Sequence, residues 1–218
     1  MYRHLSGMRK IVFLILTAVL LASIVTAGWY ASRFRHINKS STIELSRDAI
    51  LSQKLAAHAE KLRNFAVSQN YNTHIAFLVD MSIESGKNRF FVMDLSKNTV
   101  INQGLVAHGR CNQNWLTGRK YGNTVGCGCT SLGNYRIGIA YTGRFGRAYK
   151  LHGLDTTNSN AYKRFVVLHS YECVPDKETF PLPLCQSDGC PMVSAAFLKT
   201  LSVVIDSSKK AVLLSIYE

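Results

Sequence analysis

Two residues of this 218-residue chain have the types and setting needed for acyl chemistry: a cysteine, Cys190 in "CQSDGCPM", and a histidine, His169 at the end of "RFVVLHS". A cysteine in such a place can serve as a metal ligand, a disulfide half or a nucleophile. Zinc sites ask for four convergent ligands, commonly from paired CxxC or HxxxH spacings. The nearest cysteine pair here is Cys127–Cys129, a CxC, and no histidine lies at helical spacing from Cys190, so no metal is expected. A disulfide for Cys190 is open, because Cys185 is five residues away. The nucleophile reading rests on three neighbours. Gly189 lets backbone N–H groups approach a developing oxyanion. Pro191 suits the first turn of a helix from about Met192 to Leu201, whose N-terminus would favour a thiolate. His169 is a base that can lower the thiol pKa, with Ser170 beside it to orient the ring; His152 and His108 are the competing bases.

Elements must hold these residues in place. Short β-rich runs follow Tyr71: "HIAFLVDM", "RFFVMDL", then "TVINQGLVAH" after an "SKN" turn, "YRIGIAY", "RAYKLHGL", "RFVVLHS" and a closing "AVLLSIYE". They have strand composition and turn punctuation but no βαβ rhythm, which predicts a mainly β, mostly antiparallel domain. A helix precedes it, capped by Ser41 or Thr42 and running to about Asn70, with Leu51, Leu55, His58, Leu62 and Phe65 on one face. "RFRHINKSST" reads as a short linker before that helix.

Ile11–Tyr30 carry no charge and match the roughly 20 apolar residues that span a bilayer, longer than the core of a cleaved signal peptide. The expected organisation is therefore 1–32, a signal-anchor or transmembrane segment; 33–70, linker and helix; and 71–218, the catalytic domain. The membrane is an expected partner through the first helix. The formal charge is +13, and residues 110–164 hold nine Lys/Arg against the single acid Asp155. With no nucleic-acid recognition motif and an exported look, the basic surface suits an anionic wall polymer or lipid rather than nucleic acid.

Six cysteines are too few for a disulfide scaffold, but export favours oxidation. With Cys190 reserved for chemistry, five remain, so one stays free or pairs outside the chain. Cys173 and Cys185 flank the loop between His169 and Cys190 and are expected to pair, which would hold base and nucleophile together. Cys185–Cys190 is the competing, inactivating bridge. Cys127 and Cys129 are poor partners for each other, so Cys111 is expected to pair with one of them.

"VVLHS", a loop and "SDGCP" together resemble the His…Ser-x-Gly-Cys signature of the YkuD-type L,D-transpeptidases. "FVMDLSKNTVINQGLVAHG", "TSLGNYRIG", "YTGRFG", "KLHGLDTTNSNAYKRFVVLHS" and "SDGCPM" follow the order of the murein L,D-transpeptidase catalytic-domain subfamily. The resemblance covers roughly residues 71–218. It implies a YkuD-like β-sandwich or barrel, Cys190 as nucleophile, His169 as base, Ser170 supporting the ring, and Gly189 with the Cys190 backbone at the oxyanion. Ser187, Asp188 and His108 would line the substrate side. Many relatives have Arg two residues after the cysteine and His or Arg between Ser and Gly, where this chain has Met192 and Asp188. The implied activity is transfer between peptidoglycan stem peptides through a Cys190 thioester, giving 3→3 cross-links, without cofactor. Resolution by water, giving an L,D-carboxypeptidase or endopeptidase, and a non-catalytic wall-binding module with Cys190 in a disulfide are the alternatives. The implied location is the periplasm or cell envelope, anchored in the inner membrane, or secreted if the helix is cleaved.

Overall fold

The computed structural model describes residues 3–111 and 119–218; the side chains of residues 3–12 and 33–45 are not described. The chain divides into two compact units, Met1–Gln53 and Lys54–Glu218.

Helix α1, Arg3–Ser68, contributes to both. In the first unit its Phe13–Ser32 stretch has a mean hydropathy of 2.0 and is long and apolar enough to cross a membrane. Its described large apolar side chains, such as Leu16, Leu20 and Ile24, are all exposed. The segment read as a linker carries helical backbone, so the helix does not begin at Ser41 or Thr42. No glycine or proline occurs between Gly28 and Gly86, so nothing in the sequence interrupts the i→i−4 ladder.

In the second unit α1 buries Leu55, Ala59, Leu62 and Ala66, a single stripe at three- and four-residue spacing. His58 lies at the boundary and stacks on Tyr217 with ring centres 3.6 Å apart. Asn70, at φ 60°, turns the chain out of the helix. The Asn72 side chain then accepts from the His74 and Ile75 N–H groups, launching the first strand.

Eight strands follow: β1 (Ile75–Asp80), β2 (Phe90–Asp94), β3 (Thr99–Gly104), β4 (Gly133–Gly143), β5 (Gly146–Gly153), β6 (Val167–Ser170), β7 (Met192–Val193) and β8 (Leu213–Tyr217). They form one sheet in the order β3-β2-β1-β8-β4-β5-β6-β7. Pairing is antiparallel except for β1 with β8 and β6 with β7, in keeping with the mainly β, mostly antiparallel expectation. The "SKN" turn lies between β2 and β3, with Asn98 at φ 54°. The two sheet edges meet: Ala107, just beyond β3, bridges Met192 of β7, and Gly109 bridges Ser187. The core is filled by Phe77, Phe90, Tyr135, Tyr149, Leu151, Leu168 and Leu214 with Leu201 of the second helix.

That helix, α2 (Ala195–Ser207), starts later than expected. Met192 and Val193 are extended because they pair with His169 and Ser170. Ser194 is the N-cap, its hydroxyl accepting from Phe197 N–H at 3.1 Å. Pro191 therefore precedes a strand. The helix does not begin at Pro191, so the dipole argument for the Cys190 thiolate loses its premise.

Candidate active site

The turn 187–190 is fixed by its own hydrogen bonds. Ser187 Oγ donates to the Cys190 carbonyl at 2.6 Å and accepts from Gly189 N–H at 3.0 Å. Ser187 N–H donates to the His108 carbonyl, and Arg110 N–H to the Ser187 carbonyl. Gly189 adopts φ +111°, and a Cβ there would meet the Cys129 carbonyl oxygen at 2.5 Å. Glycine is required on both counts. Its N–H donates inside the turn, to Ser187 Oγ, and its missing side chain leaves room for the neighbouring backbone. The Cys190 N–H makes no hydrogen bond to a described residue. Asp188 points outward in an exposed ion pair with Arg110 at 2.8 Å, a contact worth about 0–1 kcal/mol.

His169 is buried on β6. Its Nδ1 lies 3.0 Å from the Ser170 carbonyl oxygen, so the ring carries its proton on Nδ1 and leaves Nε2 as acceptor. Ser170 thus orients the ring through its backbone rather than its hydroxyl. Phe145, from the β4–β5 turn, stacks on the imidazole at 4.6 Å, and Tyr171 meets Phe145 edge-on. Burial lowers the His169 pKa, partly opposed by the Ser170 hydrogen bond.

His169 pairs with Met192, and Cys190 lies two residues upstream on the same chain. Thiol and imidazole therefore share one end of the β6–β7 ladder. Cys190 is a free, half-buried thiol. Its sulfur is oriented to the Phe165 carbonyl at 3.8 Å rather than to the imidazole. A single χ1 rotation redirects a cysteine sulfur. Burial raises the thiol pKa, offset in part by the Val167 backbone and the Arg164 charge, while Asp188 adds to the rise.

Arg164 escaped the sequence reading. Its guanidinium donates to the Gly122 carbonyl at 3.0 Å, to Ser131 Oγ at 2.5 Å and to the Cys129 carbonyl. A Cβ at Gly189 would lie 2.9 Å from one of its nitrogens, so this cation sits against the turn 187–190. Phe165, next to it, has φ 55° and is 81% exposed. A bulky residue in that region of backbone space is strained and marks a site to examine. The only sequence hint was that "KRF" closes the basic segment.

His108 is tied elsewhere. Arg89, wholly buried, donates to the Val106 and Ile83 carbonyls and to His108 Nδ1 at 2.9 Å. Arginine can only donate, so His108 Nδ1 is the acceptor and its proton is on Nε2. Burial and the Arg89 charge lower the His108 pKa to about 4. Burial brings Arg89 down to about 9. His108 lines a cleft of about 760 Å³ with Glu84, Arg119, Phe180, Leu182 and Gln186. A second cleft, of about 630 Å³, opens beside Phe145, Ser170, Tyr171 and Ser194.

Both expected disulfide regions are oxidised: Cys173 with Cys185, and Cys111 with Cys129. Cys127 is the thiol left over. Among the described residues no group of three or more His, Cys, Asp or Glu converges on a metal position.

A family model described as the L,D-transpeptidase catalytic domain matches residues 42–217. No curated protein sequence matches. Among solved structures, the helical cell shape determining protein Pgp2 of Campylobacter jejuni is similar at 14% identity, over 72% of this chain and 55% of that one, with a TM-score of 0.42. Bd1075 of Bdellovibrio bacteriovorus gives 15% identity over 68% and 49%, TM-score 0.43. An L,D-transpeptidase of Mycobacterium tuberculosis gives 12% over 66% and 58%, TM-score 0.40. The chain thus spans roughly half the length of the solved structures it matches.

Proposed function

Because this chain belongs to the L,D-transpeptidase catalytic-domain family, we propose that it is a cysteine acyltransferase acting on peptidoglycan stem peptides and forming 3→3 cross-links. The observation that carries the reading is the sharing of one ladder end by His169, with an acceptor Nε2, and the free thiol of Cys190.

Cys190 sulfur attacks the carbonyl of the third residue of a donor tetrapeptide, and the thiol proton passes to His169 Nε2. The Cys190 N–H faces the oxyanion, and Arg164 adds positive charge beside it. Collapse breaks the peptide bond. The D-alanine amine leaves with the proton from His169, and the acyl group remains on sulfur as a thioester. An amine of a second stem attacks that thioester, His169 takes its proton, and the Cys190 thiol is restored. Ser187 holds the turn, and Ser170 fixes the tautomer. Asp188 and His108 flank the turn, where they meet the rest of the substrate. His169 is favoured over His108 as base, because Arg89 occupies His108 Nδ1 and burial keeps that ring weakly basic. The apolar Phe13–Ser32 helix anchors the enzyme in the inner membrane with the catalytic unit in the periplasm.

Purified muropeptides incubated with the wild type and Cys190→Ala, read by mass spectrometry, test the assignment. Cross-linked dimers with loss of D-alanine are expected from the wild type alone; trimmed tetrapeptide without dimer would identify a hydrolase. A carbapenem should leave a covalent adduct on Cys190 that His169→Ala prevents. An adduct surviving His169→Ala but lost in His152→Ala would reassign the base.

A further inference from the structure

The sheet face that carries His169 continues away from it as a row of rings and charges that the acyl-transfer chemistry does not use. On β5, Ala148 pairs with His169 and Lys150 with Val167, so residues 148, 150 and 152 share the face of the imidazole. On β4, Tyr141 pairs with Ala148 and Arg136 with His152, extending the same face one strand further. Tyr149 and Leu151, in between, point into the core.

Four side chains make the row. Lys150 Nζ lies 5.7 Å from the Tyr141 ring centre and 5.2 Å from that of Tyr162. His152 stacks on Tyr162 at 5.1 Å and 20°. Gly138 makes room for that histidine, since a Cβ there would meet its Nε2 at 2.9 Å. Tyr162 is 53% exposed and Tyr141 36%. With strands about 4.8 Å apart, the row begins one to two strands from the β6–β7 ladder and runs across the strands.

The occupant follows from what this face can and cannot offer. The row stands on a face of the sheet, and ladder hydrogen bonds lie in the plane of the sheet, so an occupant of this face meets side chains and not the backbone groups of β4 and β5. Recognition must come from ring faces and cations alone. Exposed tyrosine faces suit the flat apolar side of a sugar ring, with the hydroxyl free for polar contacts. The charge is one-sided: residues 110–164 hold one acid, Asp155, which accepts from the Asn134 N–H. The fitting ligand is a polysaccharide with pendant carboxylates.

We propose that Tyr141, Lys150, His152 and Tyr162 form a binding strip for the polysaccharide backbone that carries the stem peptides, with Lys150 taking pendant carboxylates. The proposal rests on the assignment of stem peptides to Cys190, and its test separates the two. Full-length protein in detergent, with Cys190→Ala to prevent turnover, is titrated with peptidoglycan sacculi and with glycan strands stripped of their stems. Tyr162→Ala and Lys150→Ala should each weaken binding to both, the pair together by roughly tenfold. Tyr162→Phe should retain it, because the ring is kept. In the Cys190-intact chain, D-alanine release from a free tetrapeptide should stay within about twofold of wild type, a difference too small to reflect a lost contact. Unchanged glycan affinity in the double variant would overturn the strip. An equal loss on the free tetrapeptide would also overturn it, by making the strip a peptide site. Failure of the wild type to release D-alanine would count against the acyltransfer reading alone, since the glycan titration does not depend on it.

Discussion

The turn 187–190 is gripped on two sides by different means. On one side the Cys173–Cys185 bridge is packed against buried Leu105, Ala107, Val174, Leu184 and Met192. On the other, the Cys111–Cys129 bridge lies in a loop held by directional bonds: Arg164 to three oxygens, and the Thr130 hydroxyl to the Gly189 carbonyl at 3.4 Å. The first side works by excluding water and shortening the unfolded chain's freedom, which is indifferent to the protonation of the thiol. The second brings a cation and a carbonyl against the turn and so acts on the thiol itself. Position and reactivity are thus assigned to opposite flanks.

Removing the apolar-side bridge should cause the largest change in stability. Cys173→Ala with Cys185→Ala opens a loop with sequence separation 12, and chain entropy puts the loss at about 3 kcal/mol by urea unfolding. The pH profile of Cys190 alkylation in the folded variant should stay where it is. A shifted profile would break the division of labour.

Acid comes next. His108 lines the cleft beside Leu184 and Cys185, and its folded pKa of about 4 lies below the unfolded value of 6.5. Between those values the unfolded chain binds more protons, so the stabilisation is complete above about pH 6.5 and is lost as pH falls toward 4. The loss is on the order of 2–3 kcal/mol. His169, His58 and His152, also lowered chiefly by burial, act in the same direction. Urea melts at pH 7.5 and 4.5 should show the fall in wild type and a smaller one in His108→Asn; equal falls would acquit His108.

Arg164→Met should have the smallest effect on stability, about 1–2 kcal/mol for its hydrogen bonds, yet the clearest effect on chemistry. Without that cation the Cys190 thiol titrates at higher pH, and alkylation below the midpoint slows. Arg164→Lys keeps the charge but loses the planar fork and should recover the profile in part. An unmoved profile in Arg164→Met would make this flank merely structural.

Much of this was legible in the sequence because the signals were local. Each strand run carried its own composition and its own turn, and Cys173–Cys185 was readable from its position between His169 and Cys190. What stayed hidden depended on partners far along the chain. Met192 and Val193 look like the start of an apolar helix until His169 and Ser170 pair with them. "AVLLSIYE" reads as a closing strand, but nothing local says that it enters between β1 and β4. Gly189 is readable as a residue that makes room, but nothing local says that its N–H donates to Ser187 Oγ. Arg164 is one arginine among nine basic residues, and only the fold distinguishes it by bringing Gly122, Cys129 and Ser131 to its guanidinium.

The place of β8 has a temporal consequence. Ala76 lies beside Leu213 in a parallel pair, and Arg136 of β4 flanks the same leucine from the other side. Until the ribosome has released residues 213–217, β1–β3 and β4–β7 are two half-sheets with no strand between them. Long-range pairing of this kind is slow, and its intermediates expose unpaired strand edges. A chain emerging in sequence order therefore completes its sheet only when this late segment arrives.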